Sequence, residues 1–349
     1  MPPEWAPHQA TYLVWPHNRD TWPGKFESIP PVYARMVAAI AQFEPVRLLV
    51  NDDAAAASAR LMVAEALARA GMARVLARVE FVTIATNDSW IRDFGPIIVN
   101  RWAGGERAPA QLALDFRFNS WGGKYGPADL DDAVPERLAQ HYGFDLIAVG
   151  MVLEGGSIDV NGAGALLTTE SCLLNPNRNA GLSRTEIETT LKFCFGAETV
   201  HWLGEGIVGD DTDGHIDDIA RFADERTIVT VTENDPADPN YALLRDNHER
   251  LAALRDREGR PYRIETLEMP PALFYEGTRL PASYANFYVV NGGVVMPTFG
   301  CETDAKAAAV LARLFPGRRV VGVESLDLVW GLGAVHCLTQ QHPASVAGR

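Results

Sequence analysis

Along this chain, apolar strand-like stretches alternate with Ala- and Leu-rich helical segments, and short paired strands with Gly or Asn turns interrupt the alternation. Helical patterning covers Pro31 to Phe43, Ala54 to Ala70, Leu130 to Tyr142, Arg184 to Phe195, Tyr241 to Asp256 and Asp304 to Leu314. Each segment leads into a β-type stretch: Val46 to Val50, Val79 to Ile84, Leu146 to Val149, Thr199 to Leu203, Tyr262 to Leu267 and Arg319 to Val323. Val160-Asn161-Gly162 ahead of Ala165 to Thr169, and Val290-Asn291-Gly292-Gly293 between Tyr288 and Val294, are hairpin signals. The unit is strand, strand, helix, strand, with a period of about 60–75 residues. Five units fit 349 residues, yet six helices are visible, so the count does not close. The absence of long linkers predicts one domain over residues 1–349. A doubly wound sheet is the commoner outcome of alternation, but the hairpins argue against it.

Composition narrows the class. Hydrophobic residues at 47% and charged residues at 22% support a packed core. Four cysteines over this length read as free thiols in a reducing compartment rather than a disulfide framework. No stretch resembles a signal peptide or approaches the roughly 18 apolar residues of a membrane span, so a cytoplasmic protein is expected. A net charge of −14 without basic patches disfavours nucleic acid and favours a small cationic ligand.

The stretch GDDTDGHIDDIARF (209–222) sets five aspartates around His215. A metal site, a solvated acidic turn and a cation pocket compete for it. If the backbone is extended there, His215 and Asp217 share a face, with Asp213 beside them. Asp210, Asp211 and Asp213 miss the register of a calcium loop, and none of the eight histidines forms a helical zinc pair, so no metal is expected. In SWIRDFGP, Asp93 sits at a turn three residues after Trp90, an acid and an aromatic suited to a flat cation. Arg92 reads as the neutraliser of a nearby acid. Glu154, ahead of two glycines in an apolar run, predicts a buried carboxylate partnered by a histidine. In WGLGAVHCLTQQHP, Gly331 and Gly333 lead to Cys337, whose polar followers suit an accessible nucleophile. Cys172 and Cys194 read as inert packing.

These pieces, with EWAPHQATYLVWPHN, LLTTESCLLNPNRN and SYANFYVVNGGVVMPTFGCETDAKA, resemble the agmatine deiminase and bacterial peptidyl-arginine deiminase family over nearly the whole chain. The resemblance implies the pentein fold, a five-bladed pseudo-symmetric α/β propeller with a central active site. It implies Cys337 as nucleophile, His215 as proton shuttle, Asp93 and Asp217 as guanidinium clamp, and Glu154 as the residue that orients the histidine. Trp90, Gly331 and Gly333 fall at the implied substrate pocket, with Trp15, Asp210 or Asp211 for the far end of the substrate. The chain departs from many members at Asp159, where they carry His, and at Gly-Leu-Gly, where they carry three glycines. The implied reaction is hydrolysis of agmatine to N-carbamoylputrescine and ammonia without a cofactor, with homo-oligomerisation possible. Free or C-terminal arginine is the alternative substrate. A divalent-metal hydrolase and a non-catalytic polyamine-binding protein are the alternative classes.

Overall fold

The computed structural model describes residues 1–101 and 110–345. Five sheets carry the architecture, and they repeat one connection. An antiparallel pair is followed by a helix and then by a third strand parallel to the second. In the second sheet, Ile97–Arg101 pairs antiparallel with Ala110–Arg117, which runs parallel to Asp145–Val152. The third sheet joins Asp159–Val160, Ala165–Thr169 and Thr199–Leu203 in the same way. The fourth joins Ala220–Asp224, Thr227–Thr232 and Arg263–Glu268. The fifth joins Tyr288–Val290, Gly293–Thr298 and Arg319–Glu324. The first sheet is assembled from both ends of the chain: Gln340–Pro343 lies antiparallel to His8–Val14, which runs parallel to Val46–Val50. These are the five blades that the pentein architecture calls for.

The sixth helix is explained by the first blade. It carries an extra helix, Asp53–Arg69, and an extra parallel strand, Val79–Thr83, beyond the common pattern. Two helices in this blade and one in each of the others account for the six read from the sequence.

Element boundaries follow local chemistry. The first helix starts at Ile29, two residues earlier than expected, because Pro30 and Pro31 occupy positions whose N–H groups need no helical partner. Asp52 caps the next helix by accepting from Ala55 N at 2.7 Å. Ser183 and Glu186 form a capping box on the helix Arg184–Phe195. The expected helix Leu130 to Tyr142 is two pieces, Asp129–Asp132 and Val134–Tyr142, because Pro135 cannot continue the earlier one. In the Asn291-Gly292-Gly293 turn, Gly292 adopts φ +80° and a Cβ on Gly293 would lie 2.6 Å from the Phe43 ring, so glycine is needed at both.

The hydrophobic core falls into three clusters beneath the blades. No helix among the described residues is long and apolar enough to cross a membrane. Leu48 lies wholly buried in the middle of the first blade, whereas Leu61 is 62% exposed on the adjacent helix. Leu48→Ala should cost about 2–5 kcal/mol in urea unfolding. Leu61→Ala should change stability by no more than about 0.5 kcal/mol.

Candidate active site

Each blade's last parallel strand is followed by a loop, and the five loops deliver the candidate groups. After Val79–Thr83 comes a short helix, Ile91–Phe94, that carries Asp93. After Asp145–Val152 come Glu154 and Gly156. After Thr199–Leu203 come His215, Asp217 and Asp218 on a tight 3₁₀ turn. After Arg263–Glu268 comes Asn286, and after Arg319–Glu324 come His336 and Cys337. Residues far apart in the chain are therefore collected at the carboxyl ends of parallel strands, where open α/β sheets generally place ligands.

The centre of the cluster is marked by Gly156. A Cβ there would lie 2.6 Å from His215 Nδ1, 2.8 Å from Asp93 Oδ1 and 3.1 Å from Asp217 Oδ2. The three groups thus surround one point. Its backbone N–H donates to Asp93 Oδ1 at 3.0 Å, and Trp121 Nε1 donates to Asp93 Oδ2 at 2.8 Å. His215 Nδ1 lies 3.7 Å from Asp93, and neither of its ring nitrogens has a hydrogen-bond partner. Cys337 Sγ lies 3.6 Å from Asp217 Oδ2 and accepts from Asn286 Nδ2 at 3.0 Å. Asn286 is itself fixed: its Oδ1 accepts from the backbone of His336 at 2.9 Å and its Nδ2 also donates to Asp218 at 3.0 Å. The expected convergence of Cys337, His215, Asp93 and Asp217 is present.

Burial sets the charge states. It pushes Asp93 well above the usual carboxylate range, and the nearby Asp217 adds to the effect. Burial acts the same way on Asp217, but the hydrogen bond and charge of His336 more than offset it and hold that group low. Burial lowers His215 to about 3, despite the opposing pull of Asp217, so its imidazole is neutral. The Cys337 thiol is pushed well above its ordinary value by burial, then by Asp217, Asp218 and Asp93. It is not the accessible thiol expected: it lies only 5% exposed at the wall of a cavity.

That cavity has a volume of about 590 Å³. Trp90, Trp121, Tyr125 and Trp330 supply aromatic wall, and Asp20, Asp88, Asp93, Asp131 and Asp211 supply carboxylates. No Lys or Arg stands among its described lining residues. Burial pushes Asp88 up, and it pushes Asp131 up to about 8. Gly331 and Gly333 also line the cavity, and their reason is steric. A Cβ on either would come within 2.9 Å of Trp90, and one on Gly331 would also strike Trp22. Leu332 between them adopts φ +68°, a left-handed conformation that glycine takes more readily than leucine.

Other expectations are corrected. Glu154 does not bond His215. Its Oε1 accepts from Arg178 Nε at 2.6 Å, and its Oε2 is buried with no hydrogen-bond partner. A guanidinium outcompetes a neutral imidazole for a buried carboxylate because it brings a full charge. Even so, oxygen of Glu154, sulfur of Cys172 and nitrogen of His215 all lie within 4.8 Å of one another, as do donor atoms of Asp217, Asp218 and Cys337. Trp15 does not line the cavity. It packs edge-on against Tyr33 at 5.9 Å inside the first-blade core, where the strand direction carries it.

The five aspartates of 209–222 divide their work. Asp210 accepts from Thr212 and from the backbone of His215, fixing the turn. Asp211 accepts from Tyr125 at the cavity, and Asp213, at φ +67°, takes Arg178 and Lys124. His215 to Asp217 are not extended, but the tight turn still directs both His215 and Asp217 toward Gly156. Arg92 does meet an acid, lying 3.6 Å from Glu4. Asp159 pairs with Arg221 at 3.2 Å. Cys172 and Cys194 pack on the third core cluster. All four cysteines are unpaired.

Sequence reasoning missed Trp121, Asn286, His336 and Glu4. Trp121 had a local signal, since Asn-Ser-Trp-Gly-Gly forces a tight turn in which Ser120 and Trp121 take φ +58° and +52°. The other three act through partners remote in sequence and had none.

The description "Porphyromonas-type peptidyl-arginine deiminase" matches residues 1–343. The agmatine deiminase of Ectopseudomonas mendocina is 37% identical over 367 aligned residues, covering 99% of this chain and 95% of that protein. That of Pseudomonas putida is 35% identical, covering 99% and 96%. The structure of the Enterococcus faecalis agmatine deiminase superimposes with a TM-score of 0.88 at 32% identity, covering 98% of this chain and 95% of that one. The C. jejuni agmatine deiminase, solved as a cysteine-to-serine variant with substrate bound, gives 0.85 at 34% identity, covering 99% and 96%. The chain therefore belongs to the Porphyromonas-type peptidyl-arginine deiminase family and is an agmatine deiminase-like hydrolase of C–N bonds in linear amidines.

Proposed function

We propose that the protein hydrolyses agmatine to N-carbamoylputrescine and ammonia through a covalent intermediate on Cys337. The observation that carries the substrate choice is the cavity lining: five carboxylates and no Lys or Arg among the described residues. Agmatine brings a guanidinium at one end and an ammonium at the other, so both ends seek acids. Free or C-terminal arginine brings a carboxylate that would need a cation, and among the described lining residues there is no Lys or Arg to meet it. The relatives named agmatine deiminase support the same choice.

In this reading Asp93 and Asp217 bind the N–H groups of the guanidinium and fix its plane. Trp90 covers a face, and the lining acids for the distal ammonium are Asp88 and Asp211, the latter shared with Lys124 at 3.2 Å. The arriving cation reverses the field that keeps the thiol protonated. The thiol proton passes to neutral His215, and the thiolate bonds to the central carbon. His215 returns that proton to the departing amine, and ammonia leaves with its electron pair. A water then attacks the amidino-thioether and gives a proton to His215. The C–S bond breaks with its electron pair going to sulfur, the hydroxyl proton of the intermediate restores the thiol as the ureido product forms, and His215 releases its proton to solvent. No metal or organic cofactor enters these steps.

Ammonia release from agmatine, free arginine and a peptide ending in arginine, measured side by side with and without chelator, tests the assignment. Agmatine should be preferred by at least about 100-fold in kcat/KM, a factor of about 2.7 kcal/mol, because a misplaced carboxylate has no partner. Chelator should change nothing. Cys337→Ser should release no ammonia while still binding agmatine in calorimetry. Full arginine turnover would transfer the substrate choice to arginine. Loss of activity on chelation would favour the metal hydrolase, and binding without turnover by the wild type would favour the polyamine-binding protein.

The raised thiol has a separate consequence. Without substrate, iodoacetamide should modify Cys337 more slowly than a free thiol at neutral pH, and the rate should keep climbing as pH passes about 9, because only thiolate reacts. A plateau near neutral pH, followed by peptide mapping, would contradict the burial argument.

A further inference from the structure

We infer that His336 is a positioning residue, held as an imidazolium between Glu4 and Asp217, that locks Asp217 as a carboxylate aimed into the guanidinium site. The role assigned to Asp217 rests on the function proposed above. His336 Nδ1 lies 2.6 Å from Asp217 Oδ2 and its Nε2 lies 2.8 Å from Glu4 Oε2. All three side chains are at most 5% exposed. Carboxylates accept but do not donate, so two such contacts ask for two donors, and a neutral imidazole has one. An imidazolium satisfies both, and the two anions repay its burial.

The surroundings fit a positive ring. Glu4 is oriented by Arg221 Nη2 at 2.8 Å, Arg92 Nη2 at 3.6 Å and the backbone N–H of Val289 at 2.8 Å. Asp159, paired with Arg221, adds another anion nearby, and the Tyr288 ring lies 6.3 Å away. The His336 and Cys337 N–H groups are pinned by Asn286, so the backbone that presents the nucleophile also presents the imidazolium. Neutral His215 lies 3.7 Å from Asp93, across the Gly156 position. The chain Glu4–His336–Asp217 thus ties the N-terminal segment to the clamp. It explains why the two carboxylates of the clamp differ: Asp217 has a cationic donor, whereas Asp93 has only Trp121 and a backbone N–H.

The test combines imidazole nitrogen-15 spectra of substrate-free protein with kinetics. The wild-type spectra should show a doubly protonated ring whose signal His336→Gln erases. His8, facing Glu44 Oε1 and the Glu4 carbonyl, and His17, facing the Trp15 and Thr86 carbonyls, also have an acceptor at each ring nitrogen, and His8→Gln and His17→Gln assign their signals. His336→Gln should also raise the KM for agmatine roughly 10- to 100-fold, the scale of a lost hydrogen bond to a charged group. Its acid limb of kcat/KM should move to higher pH, because Asp217 then protonates more easily. A purely structural role would lower the melting temperature without moving that limb. The inference fails if no doubly protonated ring exists in the wild type, whether or not either variant folds. It fails equally if every such signal persists in His336→Gln, or if folded His336→Gln keeps the wild-type profile. The spectra need no substrate, so they judge His336 even if agmatine proves not to be the substrate.

Discussion

A cluster of acids buried around one sulfur is the constraint on which the rest of this structure depends. Asp93, Asp217 and Asp218 surround the Cys337 thiol, and each is at most 4% exposed. An uncompensated buried charge costs several kcal/mol, so the empty site keeps its groups neutral where it can. The thiol stays protonated, Asp93 is driven toward its acid form, and His215 gives up its proton. In the proposed reading a planar cation relieves that penalty for the carboxyl groups and the thiol.

A second shell of charge makes this tolerable. Arg178 joins Glu154 to Asp213, and Arg221 joins Glu4 to Asp159. Arg92 adds a third contact to Glu4. These arginines are buried behind the acids and none of them lines the cavity. Their charge is consumed by the outer carboxylates; of the acids lining the cavity, Asp211 meets a cation, Lys124 at 3.2 Å. The departure at Asp159 belongs to this shell, since its carboxylate serves Arg221 and not the substrate.

The five-fold repetition is what permits so many charged groups to meet. One strand–loop junction per blade points inward, and each contributes one to three side chains. No single loop holds more than a fragment of the site. The blade assembled from both termini joins Cys337 on one side to Asp93 on the other, and the Arg92 N–H donates to the Cys337 carbonyl at 3.3 Å.

Much of the fold was legible in the sequence because periodicity is a local property. The six helices, their following strands and the two glycine hairpins need only neighbours along the chain to be recognised. The same holds for the residue types of the site, since Asp93, His215, Asp217 and Cys337 each sit in a distinctive short motif. Their roles, and the family, came from resemblance and not from pattern. What the tertiary structure alone decided was pairing. Glu154 faces His215 in space but bonds Arg178, and Trp15 turns into the core while Trp121 reaches Asp93. His336 bridges Asp217 and Glu4, partners 119 and 332 positions away. A sequence fixes which side chains are charged and where the backbone turns. Which of two buried acids receives a donor depends on distances set only when five remote loops close on one another, because the strength of those contacts comes from excluding water.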